Sequence, residues 1–240
     1  MTTGALSGKI AVITGASSGI GLAAARELHS CGMKLVLTAR REDLLSRLES
    51  ELQAAILAGD VTDLSLPGKL LELALSVHGR CDVVLNNAGM MEMGPIASID
   101  IDKVCRMVRV NVEAAYRIAY VFMRHFVSQG HGHLVNTSSV LGTKVRPTAG
   151  AYAGTKYAIE ALSEALRLET AGTAVKVSCI EPGLVMTGLH RDWPAHLRES
   201  IKMSNPLQPE DVARCVRFLL EQPDHVRIPK LMIVPGESQL

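Results

Sequence analysis

The sequence predicts an α/β protein built on one doubly wound, parallel β-sheet of about seven strands with helices on both faces. Short runs rich in Val, Ile and Leu alternate along the chain with longer segments that have helical periodicity. The short runs are apolar at nearly every position, which is typical of parallel strands buried on both faces and joined by helical crossovers. The predicted strands span residues 9–15, 33–39, 54–60, 81–87, 133–139, 175–182 and 230–236. The predicted helices span residues 20–30, 42–53, 70–78, 102–127 and 152–170.

All 240 residues, 1–240, are predicted to form a single domain. No Pro/Gly/Ser-rich linker, internal repeat or low-complexity tract divides the sequence. One long segment, residues 186–209, has no clear period and follows the sixth predicted strand. Because ligands bind beyond the carboxyl ends of the strands in such sheets, this segment is the candidate substrate loop.

The composition argues against several classes of function. The formal net charge is +1 and the aromatic fraction is 3%, so we expect no nucleic-acid partner and no membrane surface recognised through charge. Five cysteines are scattered without a CxxC pair, and the eight histidines form no metal-binding spacing. We therefore expect neither a disulfide scaffold nor a metal site. No apolar run approaches the roughly 20 residues that span a bilayer. Since the start also lacks the apolar core of a signal peptide, we expect a soluble, cytoplasmic protein.

The stretch VITGASSGIGLAAARELHS joins the first predicted strand to an Ala-rich helix through a turn with three glycines. Such glycines allow a sharp turn, a close approach of the backbone to a pyrophosphate, and tight packing of helix on strand. The N-terminus of the helix would then offer its N–H groups to the anion. The candidate nucleotide-binding residues here are Gly15, Ser17, Ser18, Gly19, Ile20 and Gly21. The spacing G-x-x-x-G-x-G also fits a tight turn that binds no ligand.

The second predicted strand ends in Ala39, Arg40 and Arg41. In NAD-binding proteins of this fold, a carboxylate at about this position binds the ribose 2′-hydroxyl. An arginine can instead bind phosphate oxygens through two parallel hydrogen bonds. We therefore predict NADP rather than NAD as the cofactor, with Arg40 and Arg41 at the 2′-phosphate. The alternative is that both arginines are solvated loop residues.

The helix predicted over residues 152–170 begins with two tyrosines and a lysine. Residues four apart lie on one helical face, so Tyr152 can meet Lys156, whereas Tyr157 projects about 100° away from the lysine. A free phenol has a pKa of about 10, and a neighbouring ammonium favours the phenolate. Tyr152 is therefore the candidate general acid/base, and we expect Lys156 to lower its pKa. The spacing Y-x-x-x-K alone is common, and most copies are surface pairs.

Further motifs stand at or near the carboxyl ends of the other predicted strands. In chain order, the set is TGASSGIG (14–21), NNAG (86–89), VN (110–111), NTSS (136–139) with YAGTK (152–156), and EPG (181–183) with Thr187. Together, over about residues 9–235, these motifs resemble the short-chain dehydrogenase/reductase family in its single-domain branch. The resemblance implies a Rossmann fold and a nicotinamide cofactor. It also implies an enzyme that reversibly transfers a hydride between that cofactor and a small carbonyl compound or alcohol.

The resemblance also implies roles for individual residues. Tyr152 would be the general acid/base, and Lys156 would bind the nicotinamide ribose and lower the pKa of the phenol. Ser139 would hold the substrate oxygen, with Ser138 as the less favoured alternative. Asn111 would anchor a water molecule in a proton relay.

The same resemblance implies how the nucleotide would be held beyond the glycine turn. Asp60 and Val61 would contact the adenine, the turn after the fourth strand would support the nucleotide, and Thr187 with Val185 would fix the nicotinamide carboxamide. The cofactor-binding residues implied in this way are Asp60, Val61, Asn87, Ala88, Gly89, Tyr152, Lys156, Pro182, Gly183, Val185 and Thr187.

The substrate is not specified by these motifs. The tail IVPGESQL replaces the V-D-G-G that ends the last strand in many members. With LTARRED and IEPGLV, it resembles an NADP-dependent subgroup that contains serine/3-hydroxy acid dehydrogenases and clavulanate dehydrogenase. Met90, Met91 and Met93 either line a substrate pocket or fill gaps in the core. Trp193 either caps an apolar ligand or anchors its loop. We expect a mixed, mainly apolar pocket.

Two wider alternatives remain at this point. The resemblance implies a homo-oligomer, a dimer or tetramer, built on the helices 102–127 and 152–170, although the small residues there equally suit the core of a monomer. A non-catalytic NADP(H)-binding regulator on the same fold is the alternative to an enzyme. The presence of all four proton-handling residues favours the enzyme.

Overall fold

The computed structural model describes residues 4–190 and 204–238. Its strands are β1 (Ile10–Thr14), β2 (Lys34–Ala39), β3 (Ala55–Ala58), β4 (Val83–Asn86), β5 (His131–Thr137), β6 (Ala174–Pro182) and β7 (Lys230–Ile233). Its α-helices are α1 (Gly19–Ser30), α2 (Glu42–Leu52), α3 (Leu66–His78), α4 (Ile101–Val108), α5 (Ala115–Gln129), α6 (Gly150–Glu169) and α7 (Pro209–Leu220). A π-helical turn (Arg109–Ala114) joins α4 to α5, and two 3₁₀ turns span Val140–Gly142 and Gly188–His190.

The seven strands form one parallel sheet in the order β3-β2-β1-β4-β5-β6-β7. The chain first winds outward from β1 to β3 and then returns to place β4 on the other side of β1. This reversal opens a crevice at the carboxyl ends of β1 and β4, where doubly wound proteins bind ligands. The predicted doubly wound α/β fold is confirmed.

Two hydrophobic cores lie on opposite faces of the sheet, because successive side chains of a strand point to opposite sides. On β1, Ile13 packs in the core beneath α1, α2 and α7, and Val12 packs in the core beneath α3, α5 and α6. Both side chains are fully buried. The nearly continuous apolar runs of the sequence are explained by these two covered faces.

The helix boundaries differ from the predicted ones where the sequence carries a break that periodicity does not reveal. The helix predicted over 70–78 begins at Leu66, because Pro67 fits the first turn of a helix. The helix predicted over 102–127 is two α-helices joined by the π-helical turn. Helix α7 begins at Pro209, with a capping box formed by Gln208 and Asp211, just where the predicted substrate loop ends.

The predicted substrate loop, residues 186–209, is described only at its two ends. Residues 191–203, which include Trp193, lie outside the described residues. The two ends are joined, since Met186 N donates to Leu207 O (2.8 Å) and Leu207 N donates to Leu184 O (3.1 Å). Both ends of the loop therefore emerge together beside the crevice.

Within residues 4–190 and 204–238, no helix is long and apolar enough to cross a membrane. In the same ranges, no group of three or more His, Cys, Asp and Glu side chains could hold a metal ion. The five cysteines are all free thiols.

One histidine is buried in the middle of this sheet. His133 on β5 has its Nε2 2.9 Å from Ser178 Oγ on β6. Burial lowers its pKa to about 3, and the nearby charges of Lys176, Arg227 and Lys9 act in the same direction. The folded chain therefore keeps this imidazole neutral at pH values where an unfolded chain would protonate it.

We expect His133 to lower the free energy of unfolding as the pH is lowered from 6.5 toward 3, because only the unfolded chain binds a proton at this residue in that window. At about pH 5 the loss is about 2 kcal/mol, from 1.36 kcal/mol for each pH unit. Urea unfolding at several pH values measures this slope. His133→Gln should flatten it, and substitution of the exposed His225 should leave it unchanged. Equal slopes in His133→Gln and the unsubstituted protein would contradict the assignment.

Candidate active site

Many of the predicted site residues lie in loops that follow four strands ending at one edge of the sheet. Gly15 follows β1 and Asn87 follows β4, on either side of the crevice. Ser139 follows β5 and Gly183 follows β6. Because parallel strands end at the same edge, these four loops meet there.

The glycine turn after β1 is packed too closely for side chains. Gly15 and Gly19 have φ of +67° and +55°, in the left-handed region that favours glycine. A β-carbon on Gly21 would collide with the carbonyl oxygen of Gly15 and lie 2.7 Å from Asn87 Nδ2. A β-carbon on Gly19 would lie 3.1 Å from Thr187 Cγ2. The turn therefore packs directly against the loops that follow β4 and β6.

The N-terminus of α1 has the features of an anion-binding site. Its N-cap residue, Ser18, has an extended backbone, and its side chain makes no capping hydrogen bond. No acidic residue lies in the first turn, which contains Gly19, Ile20 and Gly21. The positive end of the helix dipole is therefore not compensated by these side chains. These residues fit the pyrophosphate of a dinucleotide, which binds to such N–H groups.

The two arginines at the end of β2 contact different parts of the crevice. Arg41 Nη2 donates to Ser17 Oγ (3.0 Å) and to Ser17 O (3.3 Å), which brings its guanidinium to the glycine turn. Arg40 is exposed, and its charge acts on Asp60 at the end of β3. Together the two guanidinium groups form a cationic rim beside the turn.

Asp60 and Val61 follow β3 at the same edge, beyond these arginines. Thr62 N (3.0 Å) and Thr62 Oγ1 (2.8 Å) donate to Asp60 Oδ1. These hydrogen bonds hold the pKa of that carboxyl below its usual value, with a smaller contribution from the Arg40 charge. Val61 is half-buried and packs against the core on the α3 side. The contact of both residues with an adenine, which the resemblance implies, stays a prediction.

Thr14, the last residue of β1, fixes the loop after β4. Its Oγ1 accepts hydrogen bonds from the backbone N–H groups of Asn87 (2.9 Å) and Ala88 (2.9 Å). Its carbonyl oxygen accepts from Asn87 Nδ2 (3.0 Å), and Asn87 Oδ1 accepts from Thr137 Oγ1 (3.3 Å). Sequence reasoning gave Thr14 no role. The available signal was a threonine at the carboxyl end of an otherwise apolar strand.

Tyr152 and Lys156 lie on one face of α6 and are buried against the end of β5. Lys156 Nζ donates to Thr137 O (2.8 Å) and lies 5.7 Å from the centre of the Tyr152 ring. Tyr157 is exposed, 42% of its surface being accessible. The helix therefore brings Tyr152, and not Tyr157, to the lysine.

Burial dominates the acidity of the phenol in this structure. It raises the pKa of Tyr152 to about 12, and a hydrogen bond with Ser139 offsets only part of that rise. Burial also lowers the pKa of Lys156 to about 8, since the ammonium loses its hydration. The expectation that Lys156 lowers the pKa of Tyr152 is therefore not met here. The ammonium donates to the Thr137 carbonyl, and burial determines the direction of the pKa shift of the phenol.

Of the two serines that follow β5, Ser139 faces the phenol. Its hydroxyl lies within hydrogen-bonding reach of Tyr152, and its Oγ is 3.5 Å from Pro182 O. The Ser138 side chain lies on the opposite side, near Glu160, and has no hydrogen-bond partner among the described residues. This difference follows from the extended backbone, in which adjacent side chains alternate. Ser139 is therefore the serine that can contact a ligand beside Tyr152.

Asn111 lies in the π-helical turn and joins two other parts of the site. Its Oδ1 accepts from Met90 N (2.9 Å), and its Nδ2 donates to Met90 O (2.8 Å) and Thr155 Oγ1 (3.2 Å). Thr155 Oγ1 in turn donates to Tyr152 O (2.7 Å). Such π-turns are frequent at functional sites. Both amide N–H groups are used, so the side chain positions the loop and α6, and its contact with a relay water stays a prediction. Thr155 was missed by sequence reasoning.

The loops after β4 and β6 border the crevice from two sides. A β-carbon on Gly89 would lie 3.4 Å from Asn111 Oδ1 and 4.0 Å from Lys156 Nζ, so this loop passes close to both. Pro182 ends β6, and the N–H of Gly183 continues the pairing with β7. After these residues, Val185 is buried against the core and Thr187 is half-buried beside the glycine turn.

Apolar side chains line the open part of these loops. The methionines 90, 91 and 93 are half-buried in the loop after β4 and do not belong to the buried clusters of the described residues. This loop is tied to the segment before α6, because Gly94 N donates to Thr148 O (3.0 Å). Val145, Met186 and Leu189 are exposed on the loops before α6 and after β6. Exposed apolar side chains therefore lie on the described loops around the crevice, and the mixed, mainly apolar pocket stays a prediction.

The arrangement can hold an anion and move a proton in one crevice. The anion-binding turn lies at the end of β1, and the phenol, hydroxyl and ammonium meet at the end of β5. These ends are two strands, or about 10 Å, apart in the sheet. A ligand that binds the turn through a phosphate can therefore reach the phenol with its other end.

Gly21→Ala should lower the free energy of unfolding by about 1–3 kcal/mol, because the added methyl group collides with the Gly15 carbonyl. Gly68→Ala, on the exposed side of α3 with nothing within 4 Å of the new methyl group, is the matched control. It should be about 0.5–1 kcal/mol more stable than the unsubstituted protein. Urea unfolding measures both. Equal effects of the two substitutions would show that the turn is not closely packed.

Comparison with known proteins agrees with this geometry. The model of the short chain dehydrogenase family matches residues 9–198. An uncharacterized oxidoreductase of Staphylococcus aureus is 34% identical over 233 residues, covering 96% of this chain and 98% of the relative. The closed form of serine dehydrogenase complexed with NADP+ has a TM-score of 0.90 at 28% identity, covering 96% of both chains. The 3-ketoacyl-(acyl-carrier-protein) reductase of Brucella melitensis complexed with NADH has a TM-score of 0.87 at 28% identity, covering 98% of this chain and 100% of the other. With the crevice, the glycine turn and the buried phenol in place, the chain belongs to the short-chain dehydrogenase family.

Proposed function

We propose that this protein is an NADP(H)-dependent oxidoreductase that reversibly transfers a hydride between nicotinamide and a carbonyl compound or its secondary alcohol. The observation that carries the proposal is the buried group of Tyr152, Lys156 and Ser139 at the end of β5, in the same crevice as the glycine turn. Strongly shifted pKa values in a cleft are typical of functional sites. Membership of the family supports the same class of reaction.

The nicotinamide dinucleotide is supported by the residues along the crevice. The uncapped turn of α1 suits the pyrophosphate, and the solved relatives named above contain NADP+ in one case and NADH in the other. The choice of NADP therefore rests on this chain's own residues. Arg40 and Arg41 stand where an acid would bind an unphosphorylated ribose, and they can instead bind a 2′-phosphate.

In the proposed reaction, Tyr152 handles the proton and Ser139 orients the substrate. A bound nicotinamide supplies the hydride in reduction and accepts it in oxidation. With a pKa of about 12, the Tyr152 phenol is protonated at neutral pH, which is the form that can give a proton to a carbonyl oxygen. The Ser139 hydroxyl donates a hydrogen bond to that oxygen and holds it beside the phenol. The phenol is therefore in the form that reduction of a carbonyl compound requires. Oxidation of an alcohol requires a lower pKa of the phenol.

Lys156 acts on the phenolate that remains after the proton has left. Its ammonium has one acceptor among the described residues, Thr137 O, and two further N–H donors that suit ribose hydroxyls. Since its pKa is about 8, the group is mostly charged at neutral pH. A positive charge 5.7 Å from the ring centre stabilises a phenolate relative to a phenol. Asn111 supports this geometry through Met90 and Thr155.

The proposed substrate is a mainly apolar carbonyl compound. Val145, Met186 and Leu189 present exposed apolar surface on the loops around the phenol, with the three methionines of the loop after β4 on the other side. Burying such surface against a ligand contributes about 25 cal/mol per Å². The catalytic groups themselves set no requirement on the remainder of the substrate.

We further propose that the protein forms a homo-oligomer through α4, α5 and α6. These helices carry exposed large apolar side chains, namely Val108, Tyr120, Val127, Tyr157 and Leu168. Covering them with a second copy would remove apolar surface from water. Both a dimer and a tetramer suit this surface. A cytoplasmic location stays a prediction from the use of free cysteines.

Tyr152→Phe should bind NADPH with unchanged affinity yet lose carbonyl reduction by about 10²- to 10⁴-fold or more, because the proton donor is removed and the ring is kept. NADPH oxidation against a panel of aldehydes and ketones, followed by absorbance, measures the loss. Tyr157→Phe, on the exposed side of the same helix, should retain full activity. Undiminished turnover in Tyr152→Phe would refute the assignment.

Arg40→Ala and Arg41→Ala should each weaken NADPH binding by about tenfold or more, because hydrogen bonds to a charged group contribute about 1.5–3 kcal/mol. NADH binding should change by less than about threefold, since NADH lacks the 2′-phosphate. Fluorescence titration with both nucleotides gives the two dissociation constants. Arg47→Ala, on the exposed face of α2, is the control. Equal affinity of the unsubstituted protein for both nucleotides would overturn the choice of NADP.

A further inference from the structure

Two carboxylates are buried together behind Lys156. Glu160 lies one helical turn after Lys156 on α6, and Glu181 lies on β6, with exposures of 6% and 2%. Their side chains are within hydrogen-bonding reach of each other. Lys230 on β7 covers both, with its Nζ 2.9 Å from Glu160 Oε2 and 4.0 Å from Glu181 Oε1.

The groups that face this pair come from every element packed around it. Helix α6 contributes Lys156, Ser163, Glu164 and Arg167, the loop after β5 contributes Ser138, β6 contributes Cys179, and β7 contributes Lys230. Burial raises the pKa of the Cys179 thiol to about 12, so the thiol is neutral at ordinary pH. In the described part of the chain, Lys230 is the one cation in salt-bridge contact with the pair, and 46% of its side chain is exposed. A cavity of about 110 Å³ lies beside Glu160.

The charges of this cluster do not balance while both acids are ionised. The two carboxylates and the Lys230 ammonium in salt-bridge contact with them carry a net charge of −1 when both acids are ionised, and the Lys156 ammonium that offsets this charge lies one helical turn away. Two ionised carboxylates are also both acceptors. Accordingly, Glu160 Oε1, Glu160 Oε2 and Glu181 Oε1 accept no hydrogen bond among the described residues, although the Lys230 ammonium lies 2.9 Å from Glu160 Oε2. A single proton solves both problems, since one carboxyl then donates to the other and the net charge becomes zero.

We propose that Glu160 and Glu181 share one proton. We further propose that this acid pair, which lies on the side of Lys156 away from the crevice, controls whether the lysine is charged. Its effect on catalysis rests on the proposed function, whereas the sharing of the proton does not. When the negative charge resides on Glu160, it stabilises the Lys156 ammonium one turn away. When Glu160 carries the proton, that stabilisation is withdrawn. Neither acid touches the crevice, so both are positioning residues. Burial and the charge of Glu160 both raise the pKa of Glu181, which favours a protonated carboxyl in the pair.

The two acids have opposite expected effects on Lys156. Glu160→Gln removes the negative charge nearest to the ammonium, so the pKa of Lys156 falls. Glu181→Gln removes the competitor for the proton and leaves Glu160 fully ionised, so the pKa of Lys156 rises. If the two acids had a purely structural role, the two substitutions would not shift the pKa of Lys156 in opposite directions.

The shared proton is tested first by stability, without nucleotide or substrate. A carboxyl with a raised folded-state pKa makes stability fall as the pH rises from about 4.5 toward that pKa, because the unfolded chain releases the proton earlier. Across this range, the slope of stability against pH, measured by urea unfolding, should be more negative in the unsubstituted protein than in Glu160→Gln or Glu181→Gln, because the opposing contribution of His133 is the same in all three. Glu164→Gln, which changes an exposed acid of the same helix, should keep the slope of the unsubstituted protein.

Lys230→Met provides a second variant that leaves both acids in place. Removal of the cation should extend the fall in stability to higher pH, because the pair then holds its proton more tightly. If a glutamine variant does not fold, Lys230→Met tests the shared proton in its place. An unsubstituted protein with the same pH slope as Glu181→Gln, or a Lys230→Met slope unchanged from it, would overturn the shared proton.

The coupling to Lys156 is tested by the pH dependence of kcat/KM with a carbonyl compound that the unsubstituted protein reduces. The alkaline limb should move by about half a pH unit or more, downward in Glu160→Gln and upward in Glu181→Gln. At about pH 6.5, both should stay within about threefold of the unsubstituted protein, since Lys156 is charged there in all three. Shifts in the same direction, or no shift, would overturn the coupling. If no carbonyl compound is reduced, the proposed function fails, while the stability slopes still decide the shared proton.

Discussion

The site depends on one constraint, which is that a phenol and an ammonium are kept together out of water at the end of a strand. The hydrogen bond from Lys156 Nζ to Thr137 O (2.8 Å) holds the ammonium in that position. Burial shifts the pKa of Tyr152 up and that of Lys156 down, so each group is held in a state that water would not favour. The cost of this burial is offset by the surrounding sheet and helices. Any ligand that brings charge into the crevice acts on both groups at once.

The fold provides this environment through the ends of its parallel strands. Strand ends leave backbone carbonyls and terminal hydroxyls pointing into the crevice, and Thr14 and Thr137 use them to orient the loop after β4 and the lysine. Asn111 adds a brace from the opposite side through the π-helical turn. The residues proposed to contact a ligand are therefore held by hydrogen bonds to rigid elements. In such an arrangement, a small displacement of one of these groups slows proton transfer.

The strands, the glycine turn and the Tyr152–Lys156 pair could be predicted because their signals are local in sequence. Continuous apolar runs identify buried strands, and a spacing of four residues identifies a helical face. The break between α4 and α5 could not be predicted, since the apolar period continues through it. The pKa of Tyr152 could not be predicted either, because burial depends on segments far apart in the chain. For the same reason, the contact between Glu160 and Glu181 is not visible in either motif that contains them.

The central claim is that burial keeps Tyr152 protonated at pH values where an ordinary phenol ionises. The chain has four tyrosines, so the phenolate absorbance of one of them can be resolved by difference against Tyr152→Phe. At about pH 10, where an ordinary phenol is half ionised, the two proteins should show the same phenolate absorbance. A phenolate at residue 152 in the nucleotide-free protein at or below that pH would contradict the claim.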